Sequence, residues 1–234
     1  MSLVVNTLCK SYGDQVAVQD ISFQLKPGEI VGFLGPNGAG KSTTLKMLAG
    51  FLEADKGAIL LNGDIVNQNA SLLKKQIGYL PESNALYQDL YVKEYLQFLA
   101  SVHSLTNLAE SINAVIAQTG LEQMQHKKIA ALSKGYKQRL GIAAAIIHKP
   151  KLILLDEPTA GLDPNQLIEI RALIQSLSKD TMILFSTHIL QEVTAICDRV
   201  LVLHQGKLVA DEPIGQLLEK HDASLEDIFK MLTH

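Results

Sequence analysis

Gly35-Pro36-Asn37-Gly38-Ala39-Gly40-Lys41-Ser42 is the stretch that decides the fold of this 234-residue sequence, and Thr43 follows it directly. The stretch matches the pattern G-x-x-x-x-G-K-[ST] at every fixed position. Small residues allow the backbone to wrap closely around a phosphate chain, with several N–H groups pointing inward. The sequence therefore predicts a phosphate-binding loop, in which the residues from Gly35 to Thr43 hold a nucleoside triphosphate.

The segments on both sides of this loop supply the context that the motif requires. Ile30–Leu34 is a short apolar run, typical of a strand that is buried on both faces. A helix is predicted from about Lys41 to Ala49, with Gly50 as its stop signal. In a strand–loop–helix unit of this kind, Lys41 reaches the β- and γ-phosphates, and the Ser42 hydroxyl binds Mg²⁺. This context disfavours a chance match in a glycine-containing turn.

A second apolar run, Leu152–Leu155, ends in the two carboxylates Asp156 and Glu157. On its own, such a run would more simply be a strand that meets solvent. The carboxyl ends of parallel strands, however, lie at the mouth of an α/β sheet, where ligands bind. Together with the phosphate loop, the run predicts that Asp156 holds Mg²⁺ through its water shell. Glu157 is then the catalytic residue that polarises an attacking water molecule.

The rest of the chain alternates between β and α patterns, which predicts an α/β fold. We expect one domain over residues 1–234. Its core, 1–86 and 148–212, includes an N-terminal β-subdomain; 87–147 is an inserted helical subdomain and 213–234 is a helical tail. The predicted strands are Leu3–Val5, Ile21–Leu25, Ala58–Asn62, Ile77–Leu80, Met182–Phe185, Val200–Leu203 and Leu208–Val209, the last two forming a hairpin. The further predicted helices are Gln138–Ile147, Gln166–Leu177, Ile189–Ile196 and Ser224–Leu232.

Composition excludes several classes of protein. Hydrophobic residues make up 47% of the chain and charged residues 19%, which excludes a disordered chain. The net charge of −3 gives no general electrostatic affinity for nucleic acid, so no nucleic-acid partner is expected. The longest apolar run, Leu140–Ile147, is far shorter than the ~20 residues of a membrane-spanning helix. We expect no signal peptide, and we expect Cys9 and Cys197 to be reduced, buried thiols of a cytosolic protein.

Leu132-Ser133-Lys134-Gly135-Tyr136-Lys137-Gln138-Arg139 precedes the run that ends in Asp156. From the residues alone, this is a serine N-cap beside a glycine at a helix start, which could accept an anion. In its position and order it resembles the LSGGQ-type signature of ATP-binding-cassette (ABC) ATPases. The resemblance extends over essentially the whole chain. It implies a P-loop NTPase cassette with a RecA-like mixed-sheet core, an N-terminal antiparallel β-subdomain, and an inserted helical subdomain that carries the signature.

The resemblance also implies roles for individual residues, with ATP and Mg²⁺ as the cofactors. Tyr12 is similar to the aromatic residue that stacks on adenine, although it could be only a turn residue. Asp163 is similar to the D-loop aspartate, and it could serve as a helix N-cap as well. His188 is similar to the switch histidine that contacts the γ-phosphate, whereas a lone histidine is more often a surface or core-edge residue. The signature residues expected to contact the nucleotide of an opposing subunit are Ser133, Lys134, Gly135 and Tyr136.

Two positions depart from the family pattern. Lys134 and Tyr136 replace residues of the signature consensus, while Ser133 and Gly135 are retained. Glu82 stands where the family has the Q-loop glutamine. An ionised glutamate only accepts hydrogen bonds, whereas a glutamine both donates and accepts. We expect Glu82 to act on the metal side of the site, and an ordinary loop carboxylate is the alternative.

The sequence Tyr79-Leu80-Pro81-Glu82, the signature and the ending Ser224–Leu232 together resemble the ATPase subunits of ABC-2-type exporters of the drug-resistance and gliding-motility types. This implies an ATPase that converts ATP and water to ADP and phosphate and forms a homodimer in its ATP state. It also implies a separate ABC-2-type permease and a peripheral location on the cytoplasmic face of the inner membrane. The segment Ser83–Tyr95 would face the permease: Leu86, Tyr87, Leu90 and Tyr91 form either an apolar docking face or subdomain core.

Two other functions compete with this interpretation. A soluble ABC ATPase that acts on ribosomes or DNA usually carries two cassettes, a long coiled coil or a basic surface, and none is evident in the sequence. An unrelated P-loop kinase or GTPase would lack the signature and His188, and a GTPase would show a guanine-recognition motif, which is not found.

Overall fold

The structure, a computed structural model, describes residues 2–65 and 75–233 and places its strands in two sheets. The outer bounds of the predicted domain, Met1 and His234, lie outside the described residues, as does the segment 66–74 of its predicted core. The strands are β1 (Leu3–Tyr12), β2 (Gln15–Leu25), β3 (Ile30–Leu34), β4 (Lys56–Leu61), β5 (Asp64–Ile65), β6 (Ile77–Leu80), β7 (Leu152–Asp156), β8 (Met182–Thr187), β9 (Arg199–His204) and β10 (Lys207–Pro213). The helices are α1 (Lys41–Leu48), α2 (Val92–Val102), α3 (Leu108–Thr119), α4 (Lys134–Ile146), α5 (Pro164–Leu177), α6 (Leu190–Ile196), α7 (Ile214–His221) and α8 (Leu225–Thr233).

The larger sheet has the strand order β10-β9-β3-β8-β7-β6. From β9 to β6 all neighbours are parallel, and β10 pairs with β9 in the antiparallel direction. Every residue of β3, β7 and β8 is buried, as expected for central strands whose two faces are covered. Because these strands run in parallel, their carboxyl ends meet at one edge of the sheet, which is where ligands of such sheets bind.

The smaller sheet is antiparallel, with the order β2-β1-β4-β5. The alternation predicted for Ile21–Leu25 is confirmed, because Ile21, Phe23 and Leu25 are buried and the residues between them are exposed. The Phe23 ring lies 6.2 Å from the Phe33 ring of β3, so the two sheets share one apolar layer. Helix α1, whose Leu45, Met47 and Leu48 are fully buried, belongs to the same layer.

Helices α2, α3 and α4 lie between β6 and β7 in the sequence, as the helical spacing predicted. Their apolar faces pack together through residues such as Leu96, Ile116 and Leu140. The sequence predicted that α4 starts at Gln138, and this is wrong, because α4 begins at Lys134. Ser133 is its N-cap, and its hydroxyl accepts a hydrogen bond from the Tyr136 N–H at 3.4 Å. The serine cap therefore outweighs the low helix propensity of Gly135.

The helical tail contains two helices, whereas the sequence predicted only the second. Pro213 precedes α7, and Asp222, in the left-handed region at φ 45°, ends it. Leu217, Leu225 and Ile228 pack the two helices against β9. The predicted hairpin is confirmed: Gln205 and Gly206, both with positive φ, form its two-residue turn.

Two composition-based expectations can be compared with the structure. Neither Cys9 nor Cys197 is in a disulfide, but both residues are only partly buried, so the expectation that both are buried is wrong. No helix in the described part of the chain combines the length and the apolar character needed to cross a bilayer.

Candidate nucleotide site

Four strand ends bring the predicted site residues to one edge of the larger sheet. The phosphate loop follows β3, Asp156 ends β7, His188 follows β8, and Glu82 lies just beyond β6. Together with the β1–β2 hairpin, these segments surround a cavity of about 420 Å³. The residues that line it are Tyr12, Gln15, Ala17, Asn37, Gly38, Gly40, Lys41, Ser42, Thr43, Glu82, Glu157, Ala160 and His188.

The phosphate loop is held in shape by close backbone packing. The Ala39 N–H donates to the Pro36 carbonyl at 3.1 Å, and the Gly206 N–H donates to the Ala39 carbonyl at 3.0 Å. A Cβ at Gly35 would collide with the Leu203 carbonyl oxygen, so only glycine fits there. Gly40 caps α1 at φ 105°, which puts the start of this helix, with its free N–H groups, at the cavity.

Lys41 lies at the mouth of the loop. Its ammonium donates to the Gly35 carbonyl at 2.7 Å and to the Pro36 carbonyl at 3.2 Å. Burial lowers the pKa of Lys41, while the nearby Glu157 and Asp156 carboxylates act in the opposite direction. Loop carbonyls and carboxylates thus hold a cation where the loop would hold phosphate.

Asp156 is 2% exposed, and burial raises its pKa, while the Ser42 and Ser186 hydroxyls lower it. Its Oδ1 atom is buried and, among the described residues, has no hydrogen-bond partner. A carboxylate oxygen without a partner beside a serine hydroxyl matches the hard oxygen ligands that Mg²⁺ prefers. Asp156 and Ser42 therefore have the oxygen ligands that would hold a Mg²⁺ ion.

Glu157 and His188 form a pair at the same edge. His188 Nδ1 lies 2.9 Å from Glu157 Oε1, and Lys41 Nζ lies 3.9 Å from the same oxygen. Glu157 adopts φ 49°, unusual for a non-glycine residue, and its N–H donates to the Ser186 carbonyl at 3.1 Å. Strained backbone of this kind is concentrated at functional sites. The Glu157 side chain is 7% exposed, whereas the His188 side chain is 48% exposed. The imidazole can therefore orient the carboxylate from the solvent side.

The β1–β2 hairpin forms the remaining wall of the cavity. Tyr12 is 50% exposed and lines the cavity, so its ring is free to stack on a base. Ala160, the first residue of the D-loop-like stretch Ala160–Asp163, lines the same cavity, as do Gln15 and Ala17, which were not singled out from the sequence. Alternation along β2 places Gln15 and Ala17 on one face, but the sequence alone does not show which face meets the phosphate loop.

The signature lies apart from this cavity within one chain. Ser133, Gly135 and Tyr136 line a separate cleft of about 120 Å³ between α4 and α5. None of the signature residues borders the cavity at the phosphate loop. The structure thus brings together the residues from the strand ends and the hairpin, but not these four.

Asp163 and Lys134 lie near this second cleft. Asp163 is the N-cap of α5, accepting from the Gln166 N–H at 3.0 Å, with Pro164 at the first helical position. The expected capping role is therefore present, and Asp163 does not line the nucleotide cavity. The Lys134 ammonium occupies the space that a side chain at Gly161 would need. The signature thus contacts the D-loop segment of its own chain, a contact that the sequence does not reveal.

In the segment Ser83–Tyr95, some of the apolar residues belong to the subdomain core and others are exposed, as a docking face requires. Leu86 is 7% exposed and Leu90 packs against the helical core, whereas Tyr87 and Tyr91 are 60% and 42% exposed. Next to this segment is a mainly apolar groove of about 500 Å³ between the sheet and the helical region, whose lining includes Tyr79, Tyr95 and Leu99. The two leucines are core, and the two tyrosines remain available at the surface.

The strand–loop–helix unit, with carboxylates at the end of a parallel strand, defines a P-loop nucleoside triphosphatase core. Comparisons with known proteins make the class more specific. Residues 18–160 match the family described as ABC transporter. The ABC transporter ATP-binding protein YxlF of Bacillus subtilis (strain 168), itself called uncharacterized, is 40% identical over 225 residues, covering 95% of this chain and 75% of that protein. The bacitracin transport ATP-binding protein BcrA of Bacillus licheniformis is 38% identical over 230 residues, covering 97% and 75%.

A solved structure supports the same assignment. The structure of an ATP binding subunit of an ABC transporter superposes with a TM-score of 0.90 at 32% identity and covers 100% of both chains. This chain therefore belongs to the ABC transporter ATP-binding family. The fold expected from the resemblance, a P-loop NTPase cassette with a mixed sheet and an antiparallel sheet, is confirmed. The alternative of an unrelated P-loop kinase or GTPase is wrong.

Proposed function

We propose that this chain is the ATP-hydrolysing subunit of an ABC-2-type exporter, which acts as a homodimer on a separate membrane permease. The observation that carries the homodimer in this proposal is the separation of the two clefts. The phosphate loop and the signature helix both suit a triphosphate, yet they lie in different clefts of one chain. A second copy, placed head to tail, would bring its signature to the first chain's loop.

The proposed chemistry assigns one task to each residue at the sheet edge. The loop from Gly35 to Thr43 binds the phosphates, with Lys41 on the β- and γ-phosphates. Bound between Ser42 and Asp156, Mg²⁺ would supply charge neutralisation to the phosphate oxygens. Glu157 accepts the proton of the attacking water molecule, and His188 orients the carboxylate and contacts the γ-phosphate. Tyr12 stacks on adenine.

The chemistry of the signature supports the proposed dimer. The first N–H groups of α4, beside Ser133 and Gly135, can stabilise a γ-phosphate that a second copy presents. Lys134 and Tyr136 would lie in the same contact, and Asp163 would place the D-loop there. ATP bound between two copies favours the closed dimer, and hydrolysis removes that preference, which is a population shift.

Coupling to a permease is proposed for the groove between the sheet and the helical region. The exposed Tyr87 ring lies 6.1 Å from the ring of Tyr95, which lines this groove, so Tyr87 suits an apolar partner segment there, whereas the exposed Tyr91 lines a separate cleft. We propose that 1–86 and 148–212 form the ATPase core, that 87–147 moves as the helical subdomain, and that 213–234 is a tail packed on β9. The relative BcrA is named for bacitracin transport and LnrL of Bacillus subtilis (strain 168) for linearmycin resistance, and the two names together support the assignment of this chain to a drug-resistance transporter. The location would then be peripheral, on the cytoplasmic face of the inner membrane.

Affinity purification from detergent-solubilised membranes of cells that express the chain natively tests the exporter assignment. A membrane protein with several spans and no phosphate loop of its own should co-purify at one copy per chain. Tyr87→Ala should reduce its recovery, whereas Val209→Ala, an exposed apolar residue on β10, should not. Recovery of the chain with ribosomes or DNA instead would support the soluble alternative and contradict the proposal.

Glu82 provides a prediction on the metal side of the site. Glu82 is exposed at the cavity, and its charge adds to the effect of burial in raising the pKa of Asp156. If it helps to hold the hydrated metal, Glu82→Ala should raise the Mg²⁺ concentration for half-maximal ATPase activity about tenfold, the size typical of lost outer-shell partners. Asp89→Ala, an exposed carboxylate outside the cavity, is the control. An unchanged Mg²⁺ dependence and an unchanged ATPase rate in Glu82→Ala would show an ordinary loop carboxylate.

A further inference from the structure

Gln15 lies directly opposite Tyr12 in the β1–β2 hairpin. The two residues are paired in the antiparallel register, and both line the nucleotide cavity. Side chains of directly opposed residues project to the same face, with their Cβ atoms about 4.5–5.5 Å apart. The Gln15 side chain therefore starts next to the ring that is proposed to stack on adenine, and its carboxamide is within reach of the same base.

The hairpin is fixed relative to the phosphate loop. The Ala17 carbonyl oxygen lies so close to Gly40 that a Cβ there would collide with it. The Gln19 N–H donates to the Gly206 carbonyl at 2.7 Å, and the Gly206 N–H donates to Ala39 of the loop. Gln15 precedes Ala17 by two residues on the same strand, so its distance from the phosphate loop is set by a packed backbone.

The carboxamide of Gln15 has unused hydrogen-bonding capacity. Gln15 is exposed, and its side chain makes no hydrogen bond with any residue that the structure describes. A carboxamide presents an N–H donor beside a carbonyl acceptor. Adenine presents the complementary pair, its 6-amino donor beside a ring-nitrogen acceptor, whereas guanine presents two acceptors, O6 and N7, on the corresponding edge.

We propose that Gln15 is a specificity-determining residue that hydrogen-bonds the edge of the adenine base while Tyr12 stacks on its face. The inference rests on the proposed nucleotide site and adds to it a preference for adenine over guanine. A stacked ring alone accepts every base, because every base has a π-face. Gln15 supplies the hydrogen bonds that the ring lacks.

Calorimetric titration of the full chain with ADP, GDP and purine riboside diphosphate, in the presence of Mg²⁺, tests this role. Diphosphates are used because they are not hydrolysed and do not supply the γ-phosphate proposed to join two copies. Gln15→Ala should weaken ADP binding about fivefold, the lower end for a bidentate amide–adenine contact, because the residue is exposed. Binding of GDP and of purine riboside diphosphate, which lacks the 6-amino group, should change less than about twofold.

Val16→Ala is the matched control, since Val16 is the exposed neighbour that does not line the cavity. Equal weakening of all three nucleotides by Gln15→Ala, or an effect on ADP no larger than that of Val16→Ala, would overturn the role of Gln15. Failure of the unaltered chain to bind any of the three would instead contradict the nucleotide site itself, so the two failures are distinguishable.

Discussion

Glu157→Gln is expected to lower the rate of ATP hydrolysis at least about 100-fold, the usual contribution of a positioned general base. A glutamine side chain has nearly the same shape but cannot take a proton from water. The carboxylate that it replaces is buried, with Oε1 next to His188 and with Oε2 unpaired among the described residues. ATP binding should remain, because the loop and Lys41 are unchanged. Steady-state phosphate release and equilibrium binding of MgATP measure the two effects separately.

The control for this substitution is the same change at a glutamate that is away from the cavity. Glu122 is exposed in the helical region and does not line the cavity, so Glu122→Gln should leave hydrolysis unchanged. If Glu157→Gln retained more than about a tenth of the rate, the proton would have another acceptor, and the role of Glu157 as general base would be wrong.

Gly40→Ala is expected to destabilise the protein by about 3 kcal/mol and to abolish measurable ATP binding, because it combines two separate costs. Gly40 has φ 105°, a conformation that strains any L-residue. A methyl group there would also collide with the Ala17 carbonyl oxygen, so that the loop, the hairpin or both must shift. Urea denaturation measures the first effect, and titration with MgATP measures the second.

Gly38→Ala separates the cost of the backbone conformation from the cost of a steric collision. Gly38 has φ 80°, but a Cβ at this position meets no atom of the described residues within 4 Å. Gly38→Ala should therefore destabilise the protein only through the strained backbone conformation, by about 1 kcal/mol. Equal destabilisation by the two substitutions would mean that the contact between β2 and the loop does not constrain Gly40.

The parts of the fold and site that follow local rules could be predicted from the sequence. The phosphate loop, the buried strands and the carboxylates at the end of β7 each carry their signal in a few adjacent residues. The buried strands read as continuous apolar runs because helices and sheet cover both faces. The position of the site at one edge of the larger sheet then follows, because the carboxyl ends of parallel strands meet there.

The features that were missed depend on tertiary contacts. Helix α7 is short, and Leu217, its buried residue, lies in a cluster with Val200 and Val202 of β9. Gln15 enters the site because β2 packs against the phosphate loop, with the Ala17 carbonyl oxygen beside Gly40. The contact of Lys134 with Gly161 joins segments that are 27 positions apart in the sequence. Periodicity within one segment contains no information about such pairs.

We propose that two copies of the chain complete each nucleotide site. The direct measurement is the solution mass, by sedimentation, of Glu157→Gln with saturating MgATP, alone and combined with Ser133→Asp. Aspartate keeps the N-cap of α4 but opposes the γ-phosphate of a second copy. We predict about twice the chain mass of 25.5 kDa for Glu157→Gln, and the single-chain mass, with ATP still bound, for the combined variant. A dimer that persists with Ser133→Asp, or a Glu157→Gln chain that stays monomeric with ATP bound, would contradict the account.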